Sequence, residues 1–378
     1  MLYISCDKEN TQYYYSPSLG VKFIPQVSYS RYVSGDNSML LHYGQNPDYT
    51  IFKVHDNGTL DSAKFNCSGD LRYSINPQTN DIFVYSCVMY GDMDYFHFIR
   101  FDANDLNKSF VSPISDMPKN HCFRGFASLK NGGAILLTEY MEYDEYYVLI
   151  KSQLYYLTVF EPDGKIQRTF EFNPQIKNLN EIMSINKFNN LFVVRYSTNG
   201  GNEYMTAFYD ENFNLINHCI MQGSGDIYFF DDHIYAVATY SKEMDGNNNL
   251  HSIVKFDNKG NVVSKSDEMF CPSIEGFTLA GDKLVMVGHS RQKDKLEVKE
   301  TYEGKMFLID KENLADIDTV VMKYNNAIPF AVFADKDFGY NLFLTRKFDY
   351  SVAQIRDQNY PNIYIYHFDD LHNLQIDD

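Results

Sequence analysis

The segment Val254-Lys-Phe-Asp257-Asn-Lys-Gly260-Asn-Val262 places an acid and a short polar turn between two apolar runs. An Asp side chain at such a turn can bond the backbone that follows it, and Gly or Asn tolerates the positive φ that a tight turn requires. The segment therefore predicts two β-strands joined by a hairpin turn at Asp257.

This hairpin pattern recurs along the whole chain. Its acids are Asp56, Asp102, Glu161, Asp210, Asp257, Asp310 and Asp369. They are separated by 46 to 59 residues, which matches a propeller blade of about 40–50 residues with loop insertions. The repeat predicts that one structural unit occurs several times along the chain.

A second recurring signal is a polar or Gly-containing turn followed by an apolar run. These runs are 39–43, 82–85, 134–137, 191–194, 234–237, 284–287 and 342–344. Two turns per repeat imply four strands, and a continuous apolar run is typical of a strand buried on both faces. We predict an all-β fold, a β-propeller of four-stranded antiparallel blades.

The number of blades follows from counting the two signals. Both occur seven times, which favours seven blades, and six blades with a divergent cap are the alternative. Residues Val21–Ile24 resemble an outer strand that closes the ring beside the last blade. We predict a single propeller domain over residues 21–378.

Composition limits the classes of partner. The chain has 31 Tyr, 29 Phe and no Trp, and aromatic residues favour strands. Its formal net charge is −17, a field that repels polyphosphates, so we expect no nucleic-acid partner. No apolar run approaches the roughly 20 residues of a membrane-spanning helix.

The first residues, Met1-Leu-Tyr-Ile-Ser-Cys6, resemble the end of a bacterial lipoprotein signal. The basic start and the apolar stretch of about 7–15 residues in a full signal are missing. We predict that residues 1–20 are an N-terminal tether that begins with a signal remnant, and that Cys6 is the lipidation site and the one membrane attachment. The alternative is a frayed terminus without a lipid.

The segment Phe52 to Asn66 resembles a repeat of bacterial secreted propellers, whose hairpins read aromatic, Asp, any residue, Gly. Together with Ser5-Cys6-Asp7, the chain is similar to propeller lipoproteins of Bacteroidetes, which are commonly six-bladed. The resemblance implies an envelope location, in the periplasm or at the outer membrane, and a binding role. It names no ligand and no functional residue.

No motif predicts catalysis. The sequence lacks HExxH, GxSxG, P-loop and GxGxxG patterns. Its six Cys residues show no CxxC spacing, which argues against a zinc site and a redox pair. We therefore predict no catalytic residue, no metal and no cofactor.

Two groups of residues are candidate ligand contacts. Tyrosines give a large contact area at low entropy cost, so the tyrosines between Glu139 and Tyr147 could form a recognition surface; they are Tyr140, Tyr143, Tyr146 and Tyr147. The alternative is that they line the strands of an extended hairpin. Repeat position places Arg31, Arg72, Arg124 and Glu275 near the mouth of the central channel, and Arg124 completes the candidate set.

Three functions remain open. The first is a non-enzymatic binding or scaffold propeller of the bacterial cell envelope that recognises a glycan, a peptide or a partner protein. The second is a propeller hydrolase or lyase with two channel carboxylates about 5–10 Å apart. The third is a cytosolic protein-interaction propeller, for which the match at Cys6 is chance. We favour the first, because the predicted fold suits binding and the sequence contains no recognisable group of catalytic residues.

Overall fold

The computed structural model describes residues 14–16, 21–24, 29–33, 38–45, 48–55, 60–67, 70–76, 79–90, 93–113, 115–116, 120–143, 149–201, 203–223, 225–241, 249–293, 300–322, 327–334, 340–346 and 363–368. Within these residues the strands form seven antiparallel sheets. A 3-10 turn at Asn199–Gly201 is the one helical element of the described segments. None of those segments contains a helix long and apolar enough to cross a membrane.

Strands β1 (Tyr14–Ser16) and β2 (Val21–Ile24) belong to the last sheet. The first sheet contains β3 (Tyr29–Val33), β4 (Ser38–Gln45), β5 (Asp48–Val54) and β6 (Leu60–Asn66). The second contains β7 (Asp70–Ile75), β8 (Ile82–Tyr90), β9 (Met93–Phe101) and β10 (Ser109–Val111), with β11 (Ser115–Asp116) also paired to β9. The third contains β12 (His121–Ser128), β13 (Ala134–Tyr143), β14 (Leu149–Phe160) and β15 (Ile166–Phe172).

The fourth sheet contains β16 (Leu179–Phe188), β17 (Leu191–Thr198), β18 (Glu203–Tyr209) and β19 (Leu215–Met221). The fifth contains β20 (Ile227–Phe230), β21 (His233–Ser241), β22 (Asn249–Phe256) and β23 (Val262–Lys265), with β24 (Met269–Phe270) on β22. The sixth contains β25 (Ser273–Ala280), β26 (Lys283–Lys293), β27 (Glu300–Asp310) and β28 (Ile317–Val321). The seventh contains β29 (Ala327–Ala334), β30 (Tyr340–Arg346) and β31 (Ile363–Phe368), followed by β2 and β1.

In the first six sheets consecutive strands pair in order, and in the seventh β29, β30 and β31 do so before β2 and β1 follow. This confirms the predicted all-β propeller with four-stranded antiparallel blades. All seven apolar runs of the sequence lie in second strands. The clearest case is β17, in which all eight residues are buried. In the second to sixth sheets a second strand has a partner on both edges and a neighbouring sheet on both faces, so its side chains are buried on both faces and many of them are apolar.

The apolar core lies between consecutive sheets. Six clusters of buried side chains in the described segments each join two consecutive sheets, from the first and second sheets to the sixth and seventh. Between the third and fourth sheets, for example, Leu137 and Tyr155 pack with Val194 and Tyr196. Burial of such side chains contributes about 1.5–3 kcal/mol each, so neighbouring sheets stabilise one another.

The turn acids do what the sequence predicts. The Asp257 carboxylate accepts hydrogen bonds from the backbone N–H of Lys259 and Asn261 and from the Asn261 amide, at 2.8 to 3.0 Å. Asp210 makes the equivalent bonds with Asn212 and Asn214. Each acid follows the third strand of its sheet. The carboxylate therefore fixes the hairpin between the third and fourth strands.

The described turns also depart from the predicted pattern in one place. In the third sheet the acceptor is Asp163, which bonds the N–H of Lys165, and not the predicted Glu161. The shorter Asp side chain is the one that closes an Asx turn. The predicted acids Asp56 and Asp369 lie outside the described residues.

In the hairpin between the third and fourth strands of the fourth sheet, an aromatic residue takes the left-handed position that glycine occupies elsewhere. Gly164 and Gly260 have φ near +80°, as the pattern predicts, but Phe213 occupies the corresponding position with φ +63°. Its ring stacks on Phe192 with 4.3 Å between centroids and belongs to the core between the third and fourth sheets. Packing of the ring offsets the backbone strain at this position.

The two ends of the chain meet in the seventh sheet. Residues Val21–Ile24 pair with Ile363–Phe368, as the sequence predicts for a closing outer strand. Tyr14–Ser16, which lies inside the predicted tether of residues 1–20, forms a further strand on Val21–Ile24. The last sheet is thus completed by the first strands of the chain.

Basic side chains on third strands link neighbouring sheets at the turns. The Lys53 ammonium donates to the Ala103 carbonyl at 2.6 Å, Arg100 donates to the Gly132 carbonyl at 3.0 Å, and Lys255 donates to the Lys311 carbonyl at 2.8 Å. In each pair the carbonyl belongs to the next sheet along the chain. Hydrogen bonds to a charged group contribute about 1.5–3 kcal/mol, so these contacts fix the rotation of each sheet against the next.

The turn carboxylates predict how stability depends on pH. Hydrogen bonds from Asn214 lower the pKa of Asp210. At Asp257 burial acts the other way, but the bonds from Asn261 and Lys259 outweigh it and the pKa is lowered. A carboxyl with a lowered folded pKa stabilises the fold above its unfolded pKa of about 4, and this contribution is lost as the pH falls below that value. We expect an Asp210→Asn/Asp257→Asn variant to lose less stability between pH 7 and about pH 3 than the unchanged protein.

Urea unfolding at several pH values measures this difference. The matched control is Asp267→Asn/Asp318→Asn, because both carboxylates are exposed and accept no hydrogen bond from any described residue. Both double variants remove two negative charges, so the effect of net charge cancels between them. Equal loss of stability in the two variants would show that the turn bonds do not favour the ionised form.

Candidate functional site

First strands of five consecutive sheets, the second to the sixth, converge on one cavity of about 720 Å³. Its lining residues are Leu71–Tyr73, Tyr85, Phe123–Phe126, Glu181–Asn186, Asp226–Tyr228 and Glu275–Thr278. First strands surround the central axis of a propeller. The volume lies within the range of small-molecule sites, about 300–1,000 Å³.

Three of these first strands carry a β-bulge where they reach the cavity. The extra residues are Arg124 in β12, Met183 in β16 and Glu275 in β25. A bulge leaves one residue without a ladder partner and turns its side chain away from the regular alternation. The bulges therefore present these side chains to the cavity.

Gly125 follows the bulge in β12 for a steric reason. A Cβ at this position would lie 2.8 Å from the Ile185 Cγ2 atom of the next sheet. In β25 the bulge residue Glu275 is likewise followed by Gly276 and an aromatic residue. In both strands the bulge residue is charged and is followed by Gly and Phe. This shared pattern was the sequence signal that could have predicted the bulges in β12 and β25.

Arg124 is held by two carboxylates. Its Nε donates to the Glu139 Oε2 atom at 2.6 Å, and its Nη1 donates to the Glu181 Oε1 atom at 2.5 Å. Glu139 lies on the second strand of the same sheet with 4% of its side chain exposed, whereas Glu181 lies on the next sheet and is 46% exposed. The guanidinium thus joins two sheets at the cavity wall.

The Arg124 side chain keeps unused donors. A guanidinium has five N–H groups, and its two bonds to described residues leave three without a partner in that part of the chain. Burial lowers the pKa of Arg124, but the charges of Glu139 and Glu181 outweigh it and the pKa is raised. A permanent cation with free donors therefore faces the cavity.

Tyr155 adds a second polar group behind this cation. It is the strand partner of Glu139, and its hydroxyl is buried without a hydrogen-bond partner in the described segments. Burial, and then the charge of Glu139, raises the pKa of Tyr155. Tyr155 therefore stays protonated and neutral beside the ion pair.

A second arginine lies one strand back from the cavity. Arg195 on β17 is 5% exposed and forms no hydrogen bond with any residue that the structure describes. Burial lowers its pKa, and the carboxylate of Asp226, which lines the cavity from the next sheet, offsets part of this effect. The arrangement repeats that of Arg124 and Glu181, with a cation on one sheet facing an acid on the next.

Aromatic rings supply the apolar part of the wall. Phe123 is partly exposed, and its centroid lies 4.8 Å from that of Tyr85. Tyr228 is also partly exposed and meets Phe277 edge to face at 5.0 Å. The cavity therefore combines fixed charges with ring surfaces, the usual composition of a ligand site.

The structure brings part of the predicted set together. Arg72, Arg124 and Glu275 all line this cavity, and the side chain of Arg31 lies outside the described residues. Tyr140 is partly buried and meets His121 edge to face at 5.6 Å, away from the cavity-lining residues. The prediction from repeat position did not identify Glu181 and Asp226, whose strands carry no comparable motif.

The remaining candidates lie outside the described residues. Tyr143 ends β13, and its side chain is not among those described; Tyr146, Tyr147 and Cys6 are outside as well. No group of three His, Cys, Asp or Glu side chains in the described segments could hold a metal ion. The described cysteines Cys67, Cys122, Cys219 and Cys271 form no disulfide.

Comparisons with known proteins concern the fold. No protein-family model and no curated protein matches the sequence. The propeller domain of the Trilobed protease from Pyrococcus furiosus is 10% identical, over 85% of this chain and 89% of that domain, with a TM-score of 0.44. The Pyrococcus horikoshii acylaminoacyl peptidase is 10% identical over 85% of this chain, with a TM-score of 0.47, and this chain spans 50% of its length.

A third solved structure, a Synechocystis apocarotenoid oxygenase, is 11% identical over 82% of this chain and 73% of that chain, with a TM-score of 0.45. At such identities a likeness concerns the fold alone and carries no activity over to this chain. No family is shown, so the resemblance to Bacteroidetes propeller lipoproteins stays a prediction.

The Arg124 ion pairs predict a strong coupling with Glu139. We expect Arg124→Gln to lower the free energy of unfolding by about 2–3 kcal/mol, because it removes the Arg124 cation from the buried Glu139 carboxylate. This is below the range for fully buried pairs, since Arg124 is 21% exposed. Adding Glu139→Gln should recover more than half of the loss in a double-mutant cycle measured by urea unfolding.

Glu181→Gln is the control, since its half-exposed carboxylate should contribute less than about 1 kcal/mol. Simple additivity of the Arg124 and Glu139 variants would contradict a direct ion pair.

Proposed function

We propose that this chain is a non-enzymatic binding propeller whose ligand occupies the cavity between the first strands. The observation that carries this proposal is Arg124, which two carboxylates hold in place while three of its N–H groups remain free of described partners. A polar side chain fixed before binding loses little entropy when a ligand arrives. The volume and the mixed lining of the cavity give further support.

We also propose that the seven sheets are seven blades of one closed ring. Support comes from the clusters that pack each sheet against the next, and from the pairing of Val21–Ile24 with Ile363–Phe368. Six blades with a cap, the alternative from the sequence, would leave one of these sheets without a place in the ring.

The location is a proposal as well. An envelope position, in the periplasm or at the outer membrane, with Cys6 as the lipidated residue, rests on the sequence at Ser5-Cys6-Asp7. The cytoplasm is the alternative, and there the partner would be a protein.

A hydrolase or lyase is the second candidate function. Three consecutive first strands each bring one carboxylate to the cavity, from Glu181, Asp226 and Glu275. Paired carboxylates can perform glycoside chemistry when one acts as an acid and the other as a base or nucleophile. Against this role, Glu181 is engaged by Arg124.

A ligand screen tests the binding proposal. We expect at least one class among neutral oligosaccharides, short peptides, amines and organic acids to raise the Tm of the protein. Isothermal titration should then give a Kd at least tenfold weaker for Arg124→Gln, because the ligand loses charge-assisted hydrogen bonds. Arg168→Gln, an exposed arginine stacked on Phe170 outside the cavity, is the matched control and should bind normally.

Met183→Phe adds a variant that does not remove an ion pair. Met183 lines the cavity and is 40% exposed, so a larger side chain should block the ligand without disturbing the core. Binding that survives both cavity substitutions would place the ligand elsewhere and overturn the proposal. Turnover of the ligand that Glu181→Gln abolishes would favour the enzyme.

The closed ring has its own test. Lys22 and Ile365 are strand partners across the closure, and facing residues of antiparallel strands are close enough for a disulfide. We expect Lys22→Cys/Ile365→Cys to form a crosslink that raises the urea midpoint and that dithiothreitol reverses. In Lys22→Cys/Tyr364→Cys the second side chain points to the opposite face, so this control should stay uncrosslinked.

Averaged electron-microscope images viewed along the axis should show seven lobes. A ring of six or fewer lobes, or equal crosslinking in the two cysteine variants, would contradict the proposed closure.

A further inference from the structure

We infer that the ligand is a neutral carbohydrate whose hydroxyl groups bind between Arg124 and Glu181, an inference that rests on the proposed binding function. Both side chains line the cavity and touch one another. The inference follows from the charge of this pair, from the hydrogen-bonding groups it leaves unused and from the rings beside it.

The charge of the cluster favours an uncharged ligand. Arg124 carries one positive charge and lies between the carboxylates of Glu139 and Glu181, so the three groups together carry a formal charge of −1. An anion would be repelled by this negative charge and by the chain's formal net charge of −17. A cation placed at this pair would have to compete with Arg124 for Glu181. A neutral molecule disturbs neither ion pair.

The hydrogen-bonding groups that Arg124 and Glu181 leave unused suit the hydroxyl groups of a ligand. Arg124 offers three donors, and the Glu181 Oε2 atom accepts no hydrogen bond from any described residue. A hydroxyl has one donor and two acceptor lone pairs. One hydroxyl, or two on adjacent carbons, can therefore accept from the guanidinium and donate to the carboxylate together. Both bonds are charge-assisted, which makes them the stronger kind.

The aromatic lining matches the other surface of a sugar. A pyranose ring has hydroxyls around its edge and C–H groups on its faces, so a binding site needs polar groups beside an apolar plane. Phe123 precedes Arg124 in the sequence, lines the cavity and is partly exposed. Its contact with Tyr85 at 4.8 Å fixes the ring. A short peptide would use the same polar pair but has no general need for this ring.

The experiment compares ligands that differ in charge alone. Neutral oligosaccharides are titrated against the protein beside oligosaccharides of the same length that carry carboxylate or free amine groups. We expect the neutral compounds to bind and the charged ones to bind at least tenfold more weakly.

Variants then locate the site. Glu181→Gln and Phe123→Leu should each weaken the Kd of the neutral sugar at least tenfold, and Arg168→Gln should leave it unchanged. Glu181→Gln is informative because its carboxylate is half-exposed, so the variant is expected to fold. Circular dichroism and the Tm of each variant check this.

The outcomes separate the two proposals. If peptides, amines or acids bind in a way that needs Arg124 and Met183, the carbohydrate inference is overturned and the binding function stands. If neutral sugars bind equally well to every cavity variant, the cavity is not the site and both are overturned. Failure of every neutral oligosaccharide to bind at millimolar concentration also overturns the inference.

Discussion

A four-stranded sheet has two apolar faces, and this constraint governs the rest of the molecule. Each second strand contains an apolar run, and in β17 every residue is buried, so neither face of such a sheet can remain in water. Each of the second to sixth sheets therefore packs between two others. Repetition of that contact brings the first strands together around an axis and leaves a cavity there. The candidate site is a consequence of how the sheets bury their faces.

The sequence predicted the repeating part of the fold well, because its signals are local. Turn acids such as Asp210 and Asp257 bond backbone groups within four residues, and apolar runs mark second strands without knowledge of their partners. The contacts between sheets were out of reach of such reasoning. Lys53 and Lys255 reach carbonyls 50 and 56 residues away, and nothing in the neighbouring sequence distinguishes them from exposed lysines. The position of Phe213 at positive φ was also missed, since packing across a sheet boundary decides it.

The site was predicted in outline and missed in detail. Repeat position brought Arg72, Arg124 and Glu275 to the cavity, since equivalent positions of successive blades face the same axis. The partners of Arg124 were not predicted, because Glu139 and Glu181 are 15 and 57 residues away and lie on different strands. Bulges are equally hard to infer, as they depend on the register of two strands. The tyrosine surface was predicted from composition alone, and it stays a prediction because the side chain of Tyr143 and residues Tyr146 and Tyr147 lie outside the described part of the chain.

The closing strand has a consequence for how the molecule is made. Val21–Ile24 leaves the ribosome long before its partner Ile363–Phe368 is synthesised. Until then Val21–Ile24 can pair with Tyr14–Ser16 on one edge, and its other edge stays open. Unpaired edges invite pairing with other chains, and contacts between distant residues form slowly. This pairing must therefore wait until Ile363–Phe368 has been synthesised, and a chaperone that shields the open edge would increase the yield of native protein.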